Sequence, residues 1–124
     1  MKRALLYLML MSIAGAIVPA PPAQGQDAEK GKEAFAKCVA CHPQDGKNSL
    51  GPSLHGVVGR KAGSVEGYRY SRAMKNANIV WDEKALDAFL DNPQKVVPGT
   101  TMPFSGIANP RERADLIAYL ETLK

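Results

Sequence analysis

Scarcity marks this sequence. Its 124 residues include two cysteines, two histidines and one tryptophan, and aromatic residues make up only 6%. Two cysteines rule out a framework of several disulfides, leaving one disulfide, part of a zinc site or a covalent attachment point. A chain this short holds one compact domain, which excludes a multidomain enzyme and very nearly excludes a doubly wound sheet. With few aromatics and with 11 glycines and 9 prolines, the core of protein side chains is thin, and another component is expected to complete it. No stretch alternates apolar and polar residues long enough to predict a strand. Internal repeats and low-complexity tracts are absent.

The one long apolar run lies at the start. Lys2 and Arg3 precede Ala4 to Val18, interrupted only by Ser12 and Gly15, and Pro19-Ala20-Pro21-Pro22 follows. This is the pattern of a secretory signal peptide, with Ala23 and Gly25 as small residues at the cleavage positions. A retained anchor would need ~20 apolar residues to span a bilayer, and the run falls short. Residues 1–25 are therefore expected to be removed, leaving a 26–124 domain outside the cytoplasm, in a bacterial periplasm. Cleavage changes 16 Lys+Arg against 12 Asp+Glu into 14 against 12, a net charge of +2. So mild a charge argues against a nucleic-acid binder.

The remainder reads as three main helices joined by long loops. Asp27 is a good N-cap, and Ala28, Gly31, Ala34, Phe35 and Cys38 recur at helical spacing. A second helix is predicted from Asp82 to Asp91, where Asn92-Pro93 stops it. The third is capped by Asn109, with Pro110 at its first position and Glu112 three residues after the cap. Its apolar stripe is Leu116, Ile117, Tyr119, Leu120 and Leu123. A short helical piece is expected around Ser71 to Ala77. The segments Pro43–Gly67 and Pro93–Pro110 read as loops, and loops of that length in a small domain usually serve a site.

Cys38-Val39-Ala40-Cys41-His42 closes the first helix. C-x-x-C-H is the signature of c-type haem attachment: both sulfurs lie on one face, within reach of two porphyrin vinyl groups, and His42 can reach the iron. Two other readings compete. A thioredoxin-like pair belongs beside a strand, and none is visible. A zinc site would need all of Cys38, Cys41, His42 and His55.

Under the haem reading, the second axial position decides function. Filled, the iron exchanges electrons; open, it binds small ligands. Outside the first 25 residues the candidates are Met102, Met74 and His55. Met102 ranks first because Pro98 and Pro103 stiffen its segment, Met74 reads as helical packing, and His55 ranks second as a ligand.

Gly31, Phe35, the Cys38–His42 motif, Gly51-Pro52-Ser53-Leu54-His55-Gly56, Gly59-Arg60-Lys61, Tyr70, Trp81, Asn92-Pro93, Pro98-Gly99-Thr100, Met102, Phe104 and Leu116–Leu120 together resemble class I cytochrome c of the mitochondrial-like bacterial type. The resemblance covers nearly all of residues 26–124. It implies an all-α cytochrome c fold wrapped around one covalent haem c held by Cys38 and Cys41, with His42 and Met102 on the iron. It further implies that the Pro52 carbonyl fixes the His42 ring, that Arg60, Tyr70, Trp81 and Thr100 surround the haem propionates, and that Phe104 flanks the exposed edge. Gly31 would let the first helix cross closely over the last.

The function implied is that of a soluble, monomeric, non-enzymatic electron carrier of the respiratory type. Its partners would be a cytochrome bc complex or dehydrogenase on one side. On the other would stand a terminal oxidase, a reductase or a photosynthetic reaction centre. The alternative is a five-coordinate haem sensor or peroxidase-like enzyme. Phe89 and Met74 replace polar residues common in the family and make the pocket drier. Lys37 and Lys95 match docking lysines, but Gln94, Thr101, Ala108 and Asn109 replace others, which weakens electrostatic docking.

Overall fold

A computed structural model describes residues 26–124; the segment expected to be cleaved lies outside the described residues. Five helices appear in order: α1 (Ala28–Ala34), continued by a 3-10 turn (Phe35–Lys37), then α2 (Arg72–Lys75), α3 (Glu83–Asp91), α4 (Pro93–Val96) and α5 (Pro110–Glu121). No named strand is present among the described residues. The all-α expectation holds.

Each main helix starts where its capping chemistry dictates. The Asp27 side chain accepts from the Glu29 and Lys30 amides, Asp82 from Ala85, and Asn109 from Arg111 and Glu112. Each cap satisfies donors that have no partner inside the first helical turn. Glu112 does not complete a capping box; its carboxylate turns to the Lys37 ammonium instead.

Two boundaries differ from the sequence expectation. The first α-helix ends at Ala34, and the chain tightens into the 3-10 turn before reaching the cysteines. The segment read as one loop from Pro93 contains α4. Asn92, held extended at φ −152° and ψ 94° before a proline, ends α3, and its side chain then accepts from the Lys95 amide to start α4. One residue serves both jobs.

Packing places α1 across α5. Phe35 and Leu116 are almost fully buried, and the Phe35 and Tyr119 rings meet at 5.2 Å between centroids. Gly31 lies at the crossing: a Cβ there would come within 1.9 Å of the Asp115 carbonyl oxygen. Asp115, buried, fastens the start of α1 by accepting from the Asp27 amide at 2.8 Å. On the far side of α5, Arg113 donates to Asp87 at 2.7 Å, to Asp91 at 3.2 Å and to the Ile107 carbonyl at 2.8 Å. These bonds, the Asp87 bond foremost, push its guanidinium pKa further above its ordinary value. Arg113 thus ties α3 and the loop after it to α5.

One antiparallel bridge, Lys61 with Val80, interrupts the loops. Gly59 donates to the Trp81 carbonyl at 2.8 Å, Trp81 to Arg60 at 2.9 Å and Ala62 to Ile79 at 2.8 Å. Too short for the alternation rule to register, this pairing sets Trp81 beside Arg60. Among the described residues no helix is long and apolar enough to cross a membrane.

Candidate functional site

The Cys38–His42 motif occupies the turn after the 3-10 segment. Cys41 and His42 both donate backbone bonds to the Cys38 carbonyl, at 3.1 and 2.8 Å. That is one helical turn, so the sulfurs and the imidazole share a side although the regular α-helix has ended. Gly51 returns under this turn by donating to the Cys41 carbonyl at 2.8 Å. Only glycine fits there, because a Cβ would stand 2.4 Å from the His42 ring.

That close approach brings the Pro52 carbonyl to 2.7 Å from His42 Nδ1. A carbonyl only accepts, so Nδ1 carries the hydrogen and Nε2 keeps its lone pair. Burial lowers the His42 pKa, the Pro52 bond opposes the shift, and the Arg60 charge lowers it further. The ring is therefore held neutral, oriented and able to bind a metal through Nε2.

A cavity of about 430 Å³ opens beside this ring, within the size range of ligand pockets. Cys38, Cys41, His42 and Met102 all line it. So do Trp81, Leu86, Phe89, Leu90, Leu116 and Leu120, which also belong to the hydrophobic core. Whatever the cavity holds is therefore part of the core. Both cysteines are half-buried, and burial pushes the Cys38 thiol up to about 11. Their sulfurs stand together at the wall of an apolar cavity, which suits thioether attachment of a flat apolar cofactor.

The other residues expected at the site sort clearly. Pro52, Arg60, Tyr70, Thr100 and Phe104 line the cavity with Trp81, and Lys37 reaches its rim. Arg60 donates to the Ser53 and His55 carbonyls, at 2.9 and 2.8 Å. Two of its five donors thus hold a loop while the side chain also lines the cavity. Tyr70 accepts from the Val65 amide at 3.0 Å through its hydroxyl oxygen, and burial raises its pKa. Lys95 is exposed on α4 and does not line the cavity.

Met74 lines the cavity as well, within α2. His55 does not; its Nε2 lies 3.4 Å from the Gln44 carbonyl on an exposed turn. Among the described residues no group of three or more His, Cys, Asp or Glu side chains gathers for a metal ion. The zinc reading is overturned.

Sequence reasoning missed the polar braces of these loops. Asn48 accepts from the Ser53 amide at 2.8 Å and donates to the Glu66 carbonyl at 3.0 Å, and the Tyr68 hydroxyl donates to Leu50 at 2.7 Å. They hold the 47–54 loop against the 64–68 loop, and with it the Pro52 carbonyl. An asparagine in a glycine-rich stretch reads as an ordinary turn residue, so nothing local marks it.

Comparison with known proteins gives a consistent picture. The cytochrome c family model matches residues 28–124. A cytochrome c from Euglena viridis is 54% identical over 100 residues, covering 79% of this chain and 98% of that protein. A cytochrome c2 from Rhodomicrobium vannielii is 50% identical over 98 residues, covering 77% of this chain and 78% of the relative. The solved structure of cytochrome cH from Methylobacterium extorquens superposes with a TM-score of 0.75 at 49% identity, covering 77% of this chain and 98% of that one.

Proposed function

Because the chain belongs to the cytochrome c family, an electron carrier rather than an enzyme and the bearer of one covalent haem c, we propose that it is an exported, monomeric, periplasmic one-electron shuttle. The observation that carries this reading is the single cavity that gathers Cys38, Cys41, His42 and Met102. Cys38 and Cys41 would hold the haem through thioethers, with His42 and Met102 as axial ligands. When bound, the haem supplies one-electron exchange between ferric and ferrous iron.

Every other contribution is the chain's own. The Pro52 carbonyl orients His42 and increases its basicity. Arg60 and Tyr70 line the cavity with a guanidinium and a hydroxyl that would serve as partners for carboxylates of the cofactor. Trp81 meets Phe89 in a tilted pair, 4.9 Å between centroids and 58° between ring planes, an apolar wall that excludes water. Phe104, half-buried on the rim, is the side chain a partner would meet first.

Export is supported by the charged start, apolar run and small residues before Gln26, and by a family match that begins only at Ala28. The donor would be a cytochrome bc complex or a dehydrogenase. An oxidase, reductase or reaction centre would accept. Transient monomeric docking agrees with the few exposed large apolar residues, Val39, Leu50 and Val80, among the described residues. Intact-mass measurement of the exported protein should show loss of the first ~25 residues and gain of one haem. A mature mass lacking the haem would overturn the proposal.

Docking should depend only weakly on salt. Lys37 is tied to Glu112 in an exposed ion pair, so part of its charge is already answered. With +2 net charge on residues 26–124, steering has little field to act through beyond a Debye length of ~10 Å. Stopped-flow electron transfer with an acidic partner should slow only a few-fold across an ionic-strength series. Glu112→Gln should free Lys37 and steepen that dependence; an already steep wild-type profile would contradict the reading.

A further inference from the structure

Gln94 occupies the second position of α4, and its amide spans the turn that leads to Met102. Its Nε2 donates to the Thr100 carbonyl at 2.8 Å, while its Oε1 accepts from the Gly99 amide at 3.2 Å. Thr100 in turn is fixed twice. Its amide donates to the Val97 carbonyl at 3.0 Å, and its hydroxyl oxygen accepts from the Met102 amide at 3.4 Å. The path from α4 to the methionine is thus a short relay of hydrogen bonds that begins at one side chain.

The match is specific to this residue type. A primary amide alone offers a donor and an acceptor on neighbouring atoms, set to meet the carbonyl and the amide of consecutive residues. Lysine could not accept from Gly99, glutamate could not donate to Thr100, and asparagine is one methylene too short. Pro98 and Pro103 have no backbone N–H, so the bonds that hold this turn come from the amides between them, those of Gly99, Thr100 and Met102.

We propose that Gln94 is a positioning residue that latches the Met102 segment closed and suppresses its departure from the cavity. The inference rests on the reading of Met102 as the distal iron ligand. A ligand from solution can reach the iron only in the fraction of molecules whose Met102 segment is open, so its capture rate reports that fraction. Loss of both Gln94 bonds should raise the open fraction about tenfold.

The test uses ferric holoprotein with imidazole as the probe. Gln94→Met keeps length and apolar stem without either bond, and Gln94→Glu keeps only the acceptor. Imidazole capture should be about tenfold faster in Gln94→Met, with faster hydrogen exchange at the Gly99 amide. In Gln94→Glu the Gly99 amide should stay protected while capture still accelerates. Capture within about twofold of wild type in Gln94→Met, with Gly99 exchange unchanged, would overturn the latch. The far-red sulfur-to-iron band in Met102→Ala separates the two readings. If the band survives that change, the ligand assignment has failed, whereas its loss beside an unaltered Gln94→Met rejects the latch alone.

Discussion

Met102→Ala is expected to abolish the weak far-red absorption of the ferric protein and to let the ferrous protein bind carbon monoxide. The methionine lines the same cavity as His42 and is half-buried against the core. On the proposed ligation its truncation removes a ligand, and it leaves space in any case, so stability should fall as well, by at least about 2 kcal/mol. Met102→His should behave differently. A second imidazole keeps the iron six-coordinate but favours the ferric state more than a thioether does, so the reduction potential should drop substantially. Two controls make the assignment strict. Met74→Leu tests the other thioether lining the cavity, and His55→Gln tests the histidine that faces Gln44 instead. Both should retain the far-red band and exclude carbon monoxide, with only modest changes in stability. If Met74→Leu removed the band and Met102→Ala did not, the ligand would be Met74, and the Met102 segment would be a cover over a reactive site.

The parts of this molecule legible in its sequence are those whose chemistry is local. Asp27, Asp82 and Asn109 announce helix starts because a cap bonds to amides two or three residues away. The Cys38–His42 turn is legible because one turn of chain sets its geometry. The prolines around Met102 mark it as a site candidate, and it does line the cavity, as Met74 does too. What escaped depends on contacts that reach beyond a single turn of chain. Gln94 looked like a lost lysine at a docking face, yet its amide holds the Gly99–Thr100 turn. Lys37 reads as a docking lysine and Glu112 as a capping residue, until folding brings the two together. Arg113 carried a signal that was overlooked. It falls at the spacing of Leu116, Ile117 and Leu120, on the buried face of α5, where an arginine persists only if carboxylates or carbonyls meet it. Asp91, near the end of α3, supplies one of those partners.

Gly31→Ala is expected to destabilise the holoprotein, although alanine is the better helix former. In isolation the change would favour α1 by about 1 kcal/mol. Tertiary geometry reverses that sign. The added Cβ would lie 1.9 Å from the Asp115 carbonyl oxygen, 2.6 Å from its carbon and 2.8 Å from Tyr119 Cβ. Two of those atoms are backbone of α5, which no rotamer change can move. Ordinary contact begins near 3.4 Å, so the helices must separate by about 1.5 Å at their crossing. The separation would loosen the Phe35–Tyr119 contact and lengthen the bond from the Asp27 amide to Asp115, now 2.8 Å. Overpacking costs about 1–3 kcal/mol where side chains can adjust, and a backbone clash belongs at the upper end, near 3 kcal/mol, which leaves about 2 kcal/mol net after the propensity gain. Guanidinium unfolding followed by far-ultraviolet circular dichroism would show a lower midpoint at unchanged slope. Lys32→Ala, one residue along α1 and exposed, is the control and should shift stability by less than about 0.5 kcal/mol. A Gly31→Ala protein as stable as wild type would mean that α1 and α5 do not cross backbone to backbone. The placement of the Cys38–His42 turn, which follows that crossing through the 3-10 turn, would then need a different support.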